Sequence, residues 1–185
     1  MVNTRAPGEK RSQGNNQRKE EWQPSDDLIE KLVVIKRTAK VVKGGSRFNF
    51  SAIVLVGNGS GMIGYGLGKA KEVPESIRKA TEKARKNMIK IALRDGRTLY
   101  HEIIGKYGAG AVVLKPAAEG TGIIAGGSMR PVFEAVGIRD ILAKSTGSSN
   151  PHNLVKATFK ALQSIRSPDE IAAKRGLLVE NVQSN

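Results

Sequence analysis

The chain has 185 residues, with 31 lysines and arginines against 17 aspartates and glutamates, and a formal net charge of +14. It contains no cysteine and only two histidines, which excludes a disulfide framework, a thiolate zinc site, a cysteine nucleophile and a three-histidine metal site. Aromatic residues make up only 4% of the chain, which argues against base stacking on aromatic rings as the main mode of binding. No apolar run approaches the roughly 20 residues of a membrane span, and the N-terminus lacks a signal-type apolar segment. We therefore expect a soluble, intracellular, basic protein that has a polyanionic partner and no membrane contact.

The first region, residues 1–27, is polar, carries a small basic excess of +2 over residues 1–24, and holds almost no apolar side chains before Trp22. A segment of this composition cannot bury enough apolar surface to offset the entropy of ordering. We predict a disordered N-terminal extension here, and a short flexible tail at residues 179–185.

The first predicted domain covers residues 28–91. Strands are predicted at residues 32–42, 48–56 and 62–69, where β-branched and apolar residues are separated by glycine-rich turns. A helix is predicted from Pro74, with Asp95 and Gly96 as its stop signal, since one of its faces carries apolar residues at helical spacing: Ile77, Ala80, Ala84, Met88 and Ile91. The order β-β-β-α suggests a double-stranded-RNA-binding-like module, which would bind A-form shape and phosphates rather than base sequence.

Lysines form a stripe on the opposite face of this predicted helix, at Lys79, Lys83, Lys86 and Lys90. Residues 28–97 hold 16 basic and 5 acidic side chains, so +11 of the net charge lies in this segment. Clustered cations favour phosphate binding. The alternative interpretation is a solvated helix face that binds nothing.

The second predicted domain covers residues 98–178 and has an α+β pattern. Strands are predicted at residues 99–104, 111–114 and 138–143, and helices at 129–136, 151–165 and 167–175. A long connection, residues 116–127, carries four glycines within its last nine residues. These glycines predict either a tight turn or a close contact with RNA or a neighbouring protein.

The motifs that suggest catalysis lack the context that catalysis requires. Residues 59–64 match G-x-G-x-x-G, but a predicted strand follows instead of the helix N-terminus that binds a pyrophosphate. His101 and His152 have no carboxylate pattern around them. We therefore predict no enzyme, no metal, no cofactor and no small-molecule substrate.

The best short binding site is the turn at residues 43–47, where two glycines are flanked by Lys43 and Arg47. Adjacent glycines permit backbone angles closed to other residues and let the chain lie against a phosphate backbone. A plain hairpin turn is the alternative.

Several segments resemble bacterial small-subunit ribosomal protein five, and the likeness runs from about Leu28 to Gly176. The segments that carry it occur in family order: VKGG at 42–45 with FNF at 48–50, GYGLGKAKEVP at 64–74, KARKNM at 83–88, PAAEGTGIIAGG at 116–127 and AAKRG at 172–176. The resemblance implies a two-domain α+β protein whose second domain contains a left-handed βαβ crossover. One departure is Ser46, because many relatives place a basic residue directly after the two glycines.

This resemblance also implies a function and a location. It suggests a non-catalytic component of the cytoplasmic ribosome that binds 16S rRNA and small-subunit proteins four and eight. It implies a position near the messenger entry path, an influence on decoding accuracy and head movement, and a glycine hairpin beside the spectinomycin site. The alternative is a free-standing RNA-binding or RNA-chaperone protein, which would have no need of the 116–127 segment and the terminal helix.

From the charge pattern and the resemblance together we predict two groups of site residues. The RNA-binding group is Lys40, Lys43, Gly44, Gly45, Ser46, Arg47, Asn58, Lys69, Lys71, Lys79, Lys83, Lys86 and Lys90. The protein-contact or close-packing group is Glu119, Gly120, Thr121, Gly122, Gly126 and Gly127.

Overall fold

A computed structural model describes residues 28–177 of the chain. The predicted N-terminal extension and C-terminal tail lie outside the described residues. The described elements, in chain order, are β1 (Ile29–Val42), β2 (Gly45–Gly57), β3 (Met62–Ala70), α1 (Val73–Lys86), β4 (Met88–Lys90), β5 (Ile103–Tyr107), β6 (Gly110–Pro116), β7 (Ile123–Ile124), α2 (Arg130–Val136), β8 (Ile141–Ser145), α3 (Pro151–Ser164) and α4 (Pro168–Arg175).

The N-terminal unit is an antiparallel sheet in the order β1-β2-β3-β4 with α1 packed on one face. The helix lies close to β3 because this strand has glycine at three alternate positions, Gly64, Gly66 and Gly68. A Cβ at any of them would overlap a carbonyl oxygen of α1. The three predicted strands and the helix are therefore present, in the predicted order.

The predicted end of α1 is wrong. The helix ends at Lys86 with Asn87 as its C-cap, and the next three residues form β4, which pairs with the start of β3. Met88 and Lys90 therefore lie on a strand rather than on the apolar face and the lysine stripe of the helix. The module is β-β-β-α-β. Its short fourth strand was not predicted because the residues of that strand continue the apolar spacing of the helix.

The C-terminal unit has a four-stranded mixed sheet in the order β5-β6-β8-β7, with β7 and β8 parallel. The helix α2 joins these two parallel strands, so they form a βαβ unit; its left-handed sense stays a prediction. The three helices occur close to their predicted bounds.

Two strand boundaries in this unit differ from the prediction. The strand predicted at residues 99–104 begins instead at Ile103, and the strand predicted from 138 begins at Ile141. The preceding residues are used differently: Leu99 and Ile138 are buried in the core, and Asp140 forms an ion pair.

The larger of two apolar clusters joins the two units. Leu55 and Ile63 of the N-terminal sheet pack with Phe133 of α2 and Phe159 of α3, and the rings of Tyr65 and Phe159 meet edge to face at 4.7 Å. The β2–β3 turn also donates two backbone hydrogen bonds to the last residues of α2, at 3.1 and 2.9 Å. The N-terminal sheet is thus covered by α1 on one face and by the C-terminal unit on the other.

No helix within residues 28–177 is long and apolar enough to cross a membrane.

Candidate nucleic-acid interface

The β1–β2 hairpin extends beyond the rest of its sheet. Strand β2 pairs with β3 only from Phe50 onward, so residues 38–49 project as a two-stranded ribbon. We call residues 36–49, which comprise this ribbon and the two β1 residues at its base, the arm. Every residue of the arm except Val42 is exposed. At its tip, Val42 pairs with Gly45, and Gly44 has a φ of 91°, a left-handed conformation that favours glycine. The hairpin predicted at residues 43–47 is therefore present and stands free of the protein body.

The charge of the arm is entirely positive. It contains five cations and no carboxylate: Lys36, Arg37, Lys40, Lys43 and Arg47. Within the described part of the chain, the ion pairs involve none of these five. Lys40 lies directly opposite Arg47 across the two strands, an arrangement of like charges that destabilises a hairpin in water. An anion bound beside the arm would relieve this repulsion.

An open groove lies at the base of the arm. It continues the positive surface from the arm to α1, and its lining residues are Thr38, Asn49, Lys69, Ala70, Lys71, Glu72, Glu75 and Lys79. The carboxylates of Glu72 and Glu75 do not neutralise the positive charge of the groove to the same extent. Glu75 is bound by Arg78, which lowers the pKa of that carboxyl, so it is already paired within α1. Lys69, Lys71 and Lys79 are the predicted RNA-binding residues at this position.

The lysine stripe of α1 is partly neutralised. Lys79 lies 3.8 Å from Glu75, whereas Lys83 and Lys86 are exposed and form no ion pair among the described residues. Lys90 is exposed on β4 rather than on the helix. The part of the helix stripe that is free for phosphate is therefore Lys83 and Lys86.

Asn58 lies in the β2–β3 turn, at the opposite end of β2 from the arm tip. Its side-chain oxygen accepts hydrogen bonds from the backbone N–H groups of Ser60 and Met62, at 2.9 and 3.0 Å. These bonds give Asn58 a clear role in closing the turn, and its contact with RNA stays a prediction. The turn that matched G-x-G-x-x-G is thus a hairpin turn, packed against α2.

The predicted protein-contact segment, residues 119–127, is a turn followed by β7. Asp140, which is 3% exposed, holds this segment in place: its Oδ1 accepts the Gly122 N–H at 3.0 Å, and its Oδ2 accepts from Arg97 at 3.0 and 3.3 Å. Arg97 also binds Glu119, whose carboxylate side chain is 78% exposed. Gly120 and Gly122 have positive φ and no heavy atom near the position of a Cβ.

The Gly122 N–H and the Arg97 guanidinium together hold the pKa of Asp140 below its ordinary value, against the burial that would raise it. Sequence reasoning missed this network. Arg97 and Asp140 are 43 residues apart, and neither lies in a motif that would connect them.

A second feature missed from the sequence is the uncovered face of the C-terminal sheet. The helix α3 packs on the face that contains Gly105, while the alternate positions point the other way. On that side Ile104, Ile124 and Leu142 are 60, 56 and 38% exposed, with Lys115 and Lys144 among them. The alternation of strand residues could have indicated this face, had the strand bounds been known.

Within the described part of the chain, the histidines and acidic groups are not arranged as a metal site. Burial lowers the pKa of His152, and the nearby ammonium groups of Lys156 and Lys69 lower it further, which disfavours the charged imidazolium form. Within residues 28–177, no three histidine, aspartate or glutamate side chains cluster closely enough to hold a metal ion.

Comparison with known proteins decides the family. Residues 28–92 match the model of the ribosomal protein S5 N-terminal domain, and residues 105–175 match that of its C-terminal domain. The chain belongs to the ribosomal protein S5 family. It is 70% identical over 162 residues to small ribosomal subunit protein uS5 of Magnetococcus marinus, and the matched stretch covers 88% of this chain and 92% of the relative. The corresponding protein of Granulibacter bethesdensis is 59% identical over 158 residues, or 85% of this chain and 83% of the relative.

Membership of the S5 family makes the chain a structural, non-enzymatic constituent of the small ribosomal subunit in the cytoplasm. Binding to rRNA and to other ribosomal proteins follows from the family at this general level. The family assignment favours the ribosomal interpretation over the free-standing RNA chaperone.

Proposed function

We propose that the arm, the groove at its base and the free lysines of α1 bind 16S rRNA, and that the C-terminal unit binds neighbouring ribosomal proteins. The observation that carries the RNA contact is the arm, whose five cations form no ion pair among the described residues and include a like-charged pair. The predicted RNA-binding residues other than Asn58 lie on the arm, in the groove, on α1 or on β4.

Each half of this proposal has its own surface. The protein contacts use the 119–127 segment and the uncovered sheet face, and the partners are small-subunit proteins four and eight. Through the arm, the protein would influence the rRNA beside the spectinomycin site and near the messenger entry path. It would thereby support decoding accuracy and head movement.

Salt dependence tests the RNA contact. Replacing Lys40 and Arg47 together by Gln, or Lys83 and Lys86 together by Gln, should weaken binding to a 16S rRNA fragment. The slope of log affinity against log salt should fall by about 0.7–0.9 for each phosphate that the variant no longer neutralises. The matched control replaces Lys160 and Lys174, two exposed lysines of α3 and α4, by Gln. An equal fall in all three double variants would show that net charge, not these surfaces, governs binding.

Drug sensitivity tests the position of the arm tip. We expect Lys43→Glu, as the sole copy, to lower spectinomycin sensitivity more than Lys43→Gln, because the new carboxylate repels phosphate. Gly44→Asp should do the same, but Gly44→Ala is the necessary control, since any side chain is strained at a φ of 91°. Full sensitivity in all four variants, with normal subunit yield, would contradict this position.

Direct binding tests the protein contacts. Replacing Ile104 and Ile124 by Gln should weaken the complex with small-subunit protein four or eight while leaving rRNA-fragment binding intact. Leu177→Gln, at an apolar residue that is 50% exposed, is the matched control. Unchanged binding of both proteins to the double variant would exclude the uncovered sheet face as their contact surface.

A further inference from the structure

The two faces of the arm differ in chemistry. In an antiparallel ribbon, directly opposite residues share a face and successive residues alternate between faces. One face carries Lys36, Lys40 and Arg47, with the small polar side chains of Thr38 and Asn49 between them. The other face carries an aromatic and aliphatic row, in which Phe48 lies opposite Ala39 and Val41 lies opposite Ser46.

This second face is the continuation of the surface on which α1 packs. Along β2, Ala52, Val54 and Val56 bury their side chains against the helix. Two residues before Ala52 the third strand ends, and no described element covers the arm beyond that point. Phe48 is consequently 48% exposed and Val41 is 81% exposed. An apolar surface of this kind on a soluble protein commonly marks a contact with a partner.

The arm itself covers part of the aromatic ring. The Arg37 guanidinium lies 4.8 Å from the centroid of the Phe48 ring, so it forms a cation–π contact with the ring. Nearly half of the side chain nevertheless stays open to solvent. An arginine above an aromatic ring provides two planar groups on which a further flat group can stack.

We propose that Phe48, supported by Arg37, stacks on an unpaired nucleobase of the rRNA while the opposite face of the arm binds phosphates. Unpaired RNA bases are recognised by stacking on aromatic side chains and arginine planes. The inference rests on the proposed function, because it takes RNA as the partner of the arm. It adds that the arm distinguishes unpaired from fully paired RNA.

The charge of the arm favours RNA over other occupants. Five cations without a carboxylate would repel a second copy of this chain and would leave an apolar protein partner beside unneutralised charge. One RNA molecule supplies phosphates for the cations and bases for the aromatic ring, since its phosphates and bases lie within a few ångströms of each other. The low aromatic content of the chain is compatible with this view, because a single stacking residue adds to a mainly electrostatic contact.

The test uses the full chain and two RNA probes: a duplex with one unpaired 2-aminopurine, and the same duplex fully paired. Wild type should bind the bulged probe more tightly and quench its fluorescence. Phe48→Leu keeps an apolar side chain but removes the ring, and should reduce affinity about 5- to 100-fold for the bulged probe alone. Phe48→Tyr keeps a ring and should retain both the affinity and the quenching.

Lys40→Gln is the matched control, because it alters the phosphate-binding face and should weaken both probes equally. Circular dichroism melting of each variant verifies folding. If wild type binds both probes equally and Phe48→Leu changes neither affinity nor quenching, the stacking proposal is overturned while the RNA-binding proposal stands. If wild type binds neither probe, both proposals fail.

Discussion

Asp140 is a buried carboxylate with a structural task. Its two oxygens accept hydrogen bonds from Arg97 and from the backbone of Gly122, and the Thr98 hydroxyl donates to its carbonyl oxygen at 2.7 Å. One residue therefore connects the segment before β5, the 119–127 turn and the start of β8. Because Arg97 also binds Glu119, the shape of the predicted protein-contact segment depends on this pair.

The pH dependence of stability should reveal this pair. The folded-state pKa of Asp140 lies below its ordinary value of 3.8, so its contribution is fully present above about pH 4. The contribution is lost as the pH falls through the folded pKa. We expect wild type to melt at a higher temperature than Asp140→Asn at pH 6, and the difference to shrink in strong acid. Thermal melts of both proteins between pH 6 and pH 2 provide the measurement, and a difference independent of pH would contradict the ion-pair explanation.

The contact between α1 and β3 depends on the absence of side chains. Because glycine occupies three alternate positions, the helix approaches the strand until backbone meets backbone. Ala80 and Ala84 on the helix side are fully buried. The position of α1, and with it the lysines on its outer face, is therefore fixed by the size of residues on β3.

A single methyl group should disturb this contact. We expect Gly66→Ala to lower the free energy of unfolding by about 1–3 kcal/mol, because the new Cβ would overlap the Ala80 carbonyl oxygen and force the helix outward. Gly127→Ala is the control, since it adds the same methyl group where no heavy atom lies within 4 Å. Urea unfolding of both variants measures the effect. Equal stability would mean that α1 moves away without cost.

Helix and strand types could be predicted from the sequence better than their ends. The apolar spacing of α1 continues by coincidence through Met88 and Ile91, because three residues of strand are too few to show a period of two. The C-terminal helices had clearer ends: Gly137 and Gly176 both adopt the left-handed conformation that stops a helix. The arm tip was also predictable, since two glycines between cations leave few other structures.

The two domains predicted from the sequence share one core. The run at residues 52–56 is buried throughout, which is typical of a strand covered on both faces. The sequence could indicate that both faces of this strand are covered, but it could not identify which elements cover them. The contact of Tyr65 with Phe159 and the ion pair of Arg97 with Asp140 join residues far apart in the chain, and only the fold brings them together.

Unfolding should therefore be cooperative across both units. Phe133 is fully buried in the shared core, and Phe133→Ala should cost about 3–5 kcal/mol. Hydrogen exchange should show reduced protection of the β2 amides as well as the α3 amides. Phe48→Ala removes a ring that is half exposed on the arm, and should leave protection in the core almost unchanged. A reduction of protection in α3 alone would show that the units unfold separately.

The free length of the arm has a mechanical consequence. Six residues of strand separate the end of its pairing with β3 from the glycine tip, which corresponds to a lever of about 20 Å. A rotation of the protein body by about 5° would displace the tip by about 2 Å, a distance comparable to a hydrogen bond. If the proposed function holds, small rearrangements where the C-terminal unit meets its protein neighbours would thus displace the arm tip relative to the RNA. The core that joins the two units would transmit such rearrangements from the C-terminal unit to the arm.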